Sequence, residues 1–475
     1  MKAVFSIILF STIVFVSGQS SSFIRTYGGS DFNYGKGILA LQDTSYIICG
    51  NRSFNGSIGS IWLFRVDSLG SFIWEDYINH YDAAVVEDIS WYNDTSFIIC
   101  GTIFENGDYQ AYVAKYSING HLIWEATVGT PSWDYANSIV SDSAYHLWMT
   151  GYTMPYDTFD TDAFIYKLDG QNGDSLDYFR IDSAYIDMGM HIDTFASYLV
   201  FIAQQEDINS DSSTSTVTFM DKTLIPKWTL SFGNDSVDYN LYCSDQDTYH
   251  RLWVGGGYQH DTSSTEKHYY NLIDTSGIVI YEVYGGPSST KHINNMVITN
   301  QSEVYNIGST VDGFLNYGNS DFGLTYNYSG IGGVRYYGEL QDDYGEDLAI
   351  TYDRGIVMIG STESYASNAS SILLIKVDST LVYNDSDYIH YAAIGENSIQ
   401  NMILAYPNPS NGQFFFKTDF KYSNYIIVDM YGRVIKQGTE LIDSQVNLAS
   451  ESPGIYFISF YSQDEIRTIK LFLQK

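Results

Sequence analysis

Short apolar runs, each closed by a glycine, punctuate this chain at a nearly constant interval. Tyr46 to Gly50 sets the pattern, and Phe97 to Gly101 repeats it almost letter for letter. Leu147 to Gly151, Leu252 to Gly256, Val304 to Gly308 and Ile356 to Gly360 are further copies, with Leu199 to Ala203 a degenerate one. The closing positions fall in steps of 50 to 53 residues. Self-similarity at such a period marks a repeat architecture, in which each unit buries its apolar face against its neighbours.

Each run sits in a unit of four predicted strands, clearest from Trp133 to Arg180. A strand begun by Asp134 carries Ser138, Ile139 and Val140, and a turn at Asp142 leads to the strand closed by Gly151. Ala163 to Leu168 then alternate as a third strand, and a tight turn leads to an aromatic fourth. The third-to-fourth turn recurs at Asp67 to Gly70, Ser117 to Gly120, Asp274 to Gly277 and Tyr326 to Gly330, where glycine supplies positive φ. The fourth strand is expected to carry Trp74, Trp124, Tyr178, Trp228, Tyr281, Tyr336 and a weaker Tyr383.

Four antiparallel strands at this period make the blade of a β-propeller, and seven units close a ring. The fold expectation is therefore all-β: a seven-bladed β-propeller over 19–392, followed by a small C-terminal β-sandwich domain. Phe23 to Tyr27 reads as a fourth strand without its own blade. It is expected to complete the last blade and remove an exposed sheet edge. The repeats resemble bacterial propeller repeats in which a double glycine and an aspartate precede the first strand, as Tyr27-Gly28-Gly29 and Asp31 do here. A phrase of the form Asp-Ala-Phe-x-x-Lys-x-Asp, seen at Asp162 to Asp169, belongs to the same likeness. It covers roughly residues 23–390 and implies a fold, since propellers host unrelated activities.

The pattern stops after Ala392, leaving 393–403 as a linker. Residues 404–475 carry Tyr406, Pro407, Asn408, Pro409 and Gly412, then Val428, Asp429, Gly432, Arg433 and Val434. Leu448, Pro453, Gly454, Ile455, Tyr456, Lys470 and the terminal Lys475 follow. In order and spacing this stretch resembles the type A C-terminal sorting domain of the type IX secretion system of Bacteroidota. The resemblance implies export across the outer membrane by that machinery and removal of the tail by a sortase-like peptidase. Release, or attachment to surface lipopolysaccharide, would then follow. At the other end, Lys2, the apolar stretch Val4 to Val16 and the small residues Ser17 and Gly18 read as a signal peptide over 1–18. That apolar run is short for a membrane span, and no other candidate span exists.

Charge narrows the partners. The chain carries a formal −33, yet the seven Lys and Arg after Leu404 are matched by seven Asp and Glu, so 1–403 hold the whole excess. Such a body repels nucleic acid and anionic membrane surfaces. Aromatic residues make up 16% of the chain and charged residues 17%, a composition suited to packed β-structure.

No catalytic, cofactor-binding or metal-ligating residues stand out, and no cofactor is expected. The nine histidines are scattered without ligand spacing. The acidic groups Asp157, Asp160, Asp162 and Glu206, Asp207, Asp211 read as solvated loop charge. Arg65, Lys115, Lys167 and Lys376 share one third-strand position and read as local ion-pairing or snorkelling residues. Cys49 and Cys100 occupy equivalent repeat positions and read as core fillers. Function is expected on the face where second-to-third loops emerge, at 51–60, 152–161, 204–215, 257–268 and 309–320. Tyr152, Tyr156, His260, Phe314 and Tyr317 are the candidate ligand-face residues there, suited to sugar or protein contacts. The expected role is a binding or adhesion module. The alternative is an extracellular polysaccharide-acting enzyme with carboxylates gathered at the central channel.

Overall fold

Alternating apolar positions in successive short segments produce strands throughout the computed structural model. It describes residues 22–392 and 403–474, apart from 29–30, 55–56, 157–159, 182, 184–185, 196, 208–211, 235, 261–265, 286–289, 311–319, 329–330, 339–340, 366–368, 382–387, 407–409, 419–420, 430–432, 440, 442–444 and 463–465. The chain divides into two compact units, Met1–Ala392 and Ala393–Lys475. The expected signal peptide and nearly all of the linker lie outside the described residues, as does Tyr383.

The first unit is a seven-bladed β-propeller. Blade 1 is the ordered sheet Asn33–Ala40, Tyr46–Phe54, Ser57–Val66 and Phe72–Ile78. Blades 2 to 7 begin with Ala83–Asn93, Trp133–Ser141, Ile186–Phe195, Val237–Gln246, Thr290–Ile298 and Asp343–Ile350. Each first strand touches those of both neighbouring blades, which closes the ring. The glycine-closed runs lie in the second strands, which with the third strands are the most buried of each blade. Ile47, Ile48, Cys49, Ile98, Ile99 and Cys100 are all fully covered. One core cluster joins Leu39, Ile47 and Leu63 of blade 1 to Phe97, Ile99 and Tyr112 of blade 2. The core is thus a series of layers between blades, each large apolar side chain contributing roughly 1.5–3 kcal/mol. All three cysteines are free and buried, as core fillers should be.

Closure of the ring follows the expectation from Phe23 to Tyr27. Strand Phe23–Gly28 pairs antiparallel with Ser371–Val377 of blade 7, placing Phe23 opposite Lys376. A fifth strand, Tyr388–Ala392, pairs parallel outside it. The N-terminal strand also reaches blade 1, where Tyr27 donates to the Gly70 carbonyl at 2.7 Å and Arg25 Nε to Leu69 at 2.8 Å.

All seven first strands carry a bulge at the same level, at Lys36, Glu87, Asn137, Met190, Tyr242, Asn294 and Glu346. A bulge frees one residue from the ladder and re-aims its neighbours. Just beyond it, partly buried carboxylates tie three of the blades to the next. Asp88 accepts from Ile139 N at 2.8 Å and Ser138 Oγ at 3.0 Å. Asp245 accepts from Ile298 N at 2.7 Å, and Asp347 from Ile38 N at 2.8 Å.

Two expectations are corrected by strand register. Trp74, Trp124, Trp228 and Tyr281 stand opposite Arg65, Lys115, Phe219 and Leu272. The equivalent residue in blade 6 is Gly333, opposite Tyr326, whereas Tyr336 faces Gly323. Tyr326 therefore belongs to the strand Phe322–Tyr328, not to a turn. Two of the second-to-third segments, 51–60 and 204–215, also differ from loops. Gln204 to Asp207 pair with Ser212 to Ser215, and Asn51 to Phe54 with Ser57 to Ile61. Polar residues there read as loop because the hairpins outrun the apolar layer while keeping their ladder hydrogen bonds.

The second unit has two sheets: Ile403–Tyr406, Gln413–Thr418 and Gln445–Asn447 in one, and Val434–Gly438, Asn424–Asp429, Gly454–Tyr461 and Ile466–Leu473 in the other. Phe414, Phe416, Ile427, Val446, Ile458, Phe460 and Leu471 pack into one core, as a sandwich requires.

Candidate functional site

Two of the candidate ligand-face residues are brought together. Tyr152 lies near the end of the second strand of blade 3, His146–Met154, and stacks on Tyr135 of the first, with centroids 4.8 Å apart and planes at 19°. Tyr135 in turn stacks on Tyr109 of blade 2 at 5.4 Å and 27°. Trp133 meets Tyr109 edge-on at 5.5 Å, and Tyr156 meets Trp133 edge-on at 5.6 Å. Phe104 closes the group against Tyr109 at 4.6 Å. The six rings form one aromatic ledge spanning two blades. Offset and edge-on contacts at these distances are the favoured aromatic geometries.

Local sequence explains the ledge. Asn106 and Gly107 both have positive φ, 55° and 87°, so a two-residue hairpin turn sets Phe104 and Tyr109 opposite each other. Trp133 and Tyr135 are alternate residues of one strand and share its face. The rim is polar and acidic. Tyr156, 57% exposed, donates to Asp108 at 3.0 Å, and Gln110 donates to the same carboxylate at 3.1 Å. Burial, then the neighbouring phenols Tyr152 and Tyr109, pushes Tyr135 up to about 12. The hydrogen bond to Asp108 likewise raises Tyr156. At neutral pH the ledge offers neutral rings and hydroxyl donors.

The remaining candidates do not join it. His260 is exposed on blade 5 and meets Tyr258 edge-on at 5.9 Å. Phe314 and Tyr317 lie outside the described residues. Phe104, Tyr109, Trp133 and Tyr135 join the ledge without being among the candidates that the sequence offers. The Asn-Gly hairpin between Phe104 and Tyr109 is the signal that could have drawn attention to the first two of them.

The central ring holds several acids, but most are engaged. The Glu346 carboxylate, and after it Glu87 at 3.1 Å, raise the pKa of Lys36 against the effect of burial. Burial pushes Asp88 and Asp245 up to about 6, and Asp193 and Asp347 up to about 7. Asp193 has the weakest support. It accepts from Thr194 N, while Gln246 N, the counterpart in blade 5 of the amide that serves Asp245, is donated to Asp245 itself. Ser138, Asp88 and His191 come close, yet Ser138 donates to Asp88 while lying 3.5 Å from His191. The serine proton is thus directed at a carboxylate that joins two blades, and not at the imidazole as in a serine–histidine pair.

The shared basic positions are accounted for locally, whereas Asp162, expected as solvated loop charge, is buried where the strand Asp162–Asp169 begins. Asp162 pairs with Arg180, while Asp157 and Asp211 lie outside the described residues. Among the described residues no three metal-ligating side chains converge. Arg65 bonds Ser45 and the Ile118 carbonyl, Lys115 bonds the Gly170 carbonyl, and Lys376 pairs with Asp353 at 3.0 Å. Lys167 lies over the Trp148 ring at 5.1 Å.

In the second unit, Asp429 caps a hairpin by accepting from Arg433 N at 3.0 Å and Arg433 Nε at 2.6 Å. Gly412 has φ 129°, and a side chain there would strike Ala449. Gly454 opens the strand in which Tyr456 donates to Ser452 O at 2.6 Å. Pro407, Asn408, Pro409, Gly432 and Lys475 lie outside the described residues. Residues 404–474 match the family of secretion system C-terminal sorting domains. This is a type IX sorting tail. The sorting domain marks the protein for export by the type IX machinery, to the medium or the outer-membrane surface. Among the described residues no helix is long and apolar enough to cross a membrane.

No curated protein sequence matches the chain. Solved structures similar to it include the Penicillium chrysogenum alpha-L-arabinanase, 10% identical, with a TM-score of 0.42 over 76% of this chain and 99% of the other. The β-propeller domain of the Pyrococcus furiosus Trilobed protease is likewise 10% identical, with a TM-score of 0.42 over 74% and 97%. Likenesses this remote carry no argument about activity.

Proposed function

We propose that the propeller is a secreted or surface-displayed binding module that holds a glycan on its hairpin face. The observation that carries this reading is the ledge of Tyr109, Tyr135, Tyr152, Trp133 and Tyr156. Flat rings bordered by short polar groups suit a ligand with apolar ring faces and hydroxyl edges, which is the character of a sugar chain. The acids nearest the channel favour the same reading, because Asp88, Asp245 and Asp347 are occupied in joining blades. Delivery by the sorting tail places such a module where polysaccharides are met. After export the tail is removed by a sortase-like peptidase, and the propeller is released or attached to surface lipopolysaccharide.

A glycan-array screen of the full chain, run beside hydrolysis assays on the same glycans, tests this. Saturable binding without turnover, weakened in Tyr109→Ala and Tyr156→Ala, is the expected result. Turnover of a bound glycan would overturn the non-enzymatic reading. Failure to bind any glycan would move the ledge to a protein partner.

A further inference from the structure

A second concavity opens on the same face. Between blades 6 and 7 lies a cleft of about 300 Å³, lined among others by Lys291, His292, Ser309, Asp342, Tyr344 and Glu346. Its residues come from the starts of first strands and the end of a second strand. Trp133, Tyr135 and Tyr152 hold the same places in blade 3, so cleft and ledge share a face.

The lining is partly spent and partly waiting. His292 is held by Glu266 at 3.0 Å, and Glu266 also accepts from Asn240 at 2.9 Å. Asp342 differs. Its Oδ1 is buried and no donor lies within hydrogen-bond distance of that atom among the described residues, although the carboxylate is close enough to the Tyr344 hydroxyl that burial, and then Asp342, raise the phenol. A buried carboxylate oxygen without a donor is costly, and such an atom in a cleft calls for a donor from a ligand. Tyr344, 39% exposed, offers a ring beside it. The volume lies at the low end for small-molecule sites and admits a single sugar ring. Glu346 is already sensed by Lys36 within the ring and Lys291 joins the lining, so the carboxylate oxygen that lacks a donor is that of Asp342. In a body carrying the chain's −33 it favours an ammonium or hydroxyl donor over a carboxylate.

We propose that the cleft is a subsite for one amino-sugar residue of the glycan, its ammonium group directed at Asp342 and Glu346. This rests on the glycan-binding reading of the face and adds a location and a charge preference to it.

Calorimetric titration of the full chain with a glucosamine hexamer, its N-acetylated counterpart and a galacturonate hexamer tests the proposal. The glucosamine hexamer should bind tightest and the galacturonate hexamer weakest. Asp342→Asn and, independently, Glu346→Gln should each weaken the glucosamine hexamer about tenfold, removing its preference over the acetylated form. Tyr109→Ala should weaken both alike. If the preference survives both cleft variants, the subsite is wrong while the binding module stands. If the acetylated or galacturonate form binds best, the charge argument fails and the subsite with it. If no hexamer binds, both readings fall.

Discussion

Trp74 of blade 1 lies directly beneath Gly120 of blade 2: a Cβ added at Gly120 would come 2.6 Å from the indole. The indole Nε1 also donates to the Ile118 carbonyl in the same turn, at 3.0 Å. Trp124 meets Gly173 and Trp228 meets Gly277 in the same way. The turn glycine therefore answers two demands at once, positive φ and close approach by the preceding blade.

Gly120→Ala is accordingly expected to cost about 2–4 kcal/mol, combining left-handed strain with overpacking. Gly107 separates the two terms, because its φ is 87° but nothing lies within 4 Å of an added Cβ. Gly107→Ala should cost only about 1–2 kcal/mol. Urea unfolding midpoints of the two variants check the difference, and equal losses would show that packing beneath the turn contributes nothing.

The partly buried carboxylates of the first strands predict a pH dependence. Asp193 is pushed up to about 7 by burial and then by Asp245. A carboxyl whose folded pKa is raised contributes stability that is full below its unfolded value of about 3.9. That contribution is lost as pH rises towards 7. Asp193→Asn removes this loss, so its melting temperature should match the parent near pH 4 and exceed it above pH 7. The comparison cancels groups shifted in the opposite sense, such as Asp142. A constant difference across that range would contradict the assignment.

Ledge residues should act as a unit. Tyr109→Ala removes the ring that touches Phe104, Trp133 and Tyr135, and should weaken glycan binding about tenfold. Tyr281→Ala deletes an exposed ring on an outer strand of blade 5 and should leave binding unchanged. Titration of the two variants against one glycan distinguishes a local site from general surface aromaticity.

In the sorting tail, Asp429→Ala should destabilise the hairpin by about 1–2 kcal/mol, since it frees both Arg433 N and Nε. Asp429→Asn keeps an acceptor for the amide and should lose less. The Arg433 side chain is 75% exposed, so the ion pair itself adds little. Protease resistance of the tail in the purified protein reads the order directly.

Strand count, blade count and the closing role of Phe23–Gly28 were legible because they depend on local period, turn glycines and one unpaired strand motif. Register was less so. Tyr336 and Gly333 are three residues apart in one aromatic, glycine-rich strand, and only pairing with Phe322–Tyr328 shows which stands opposite Tyr326. The hairpin extensions at Gln204 to Asp207 and Ser212 to Ser215 carry no apolar alternation, so nothing in their residue types distinguishes ladder from loop.

By itself the sequence determined the architecture and the route of export. Repeats of about fifty residues and the motif-bearing tail are properties of neighbours along the chain, and neighbours along the chain are visible there. Which exposed aromatics meet was decided by the ring. Tyr109, Tyr135 and Tyr152 belong to three different strands of two blades, and only inter-blade packing sets their planes against each other. Asp342 and His292 likewise lie a full repeat apart until ring closure makes them walls of one cleft. Side-chain convergence across a seam depends on twist, bulge and register together, and no single segment carries that information.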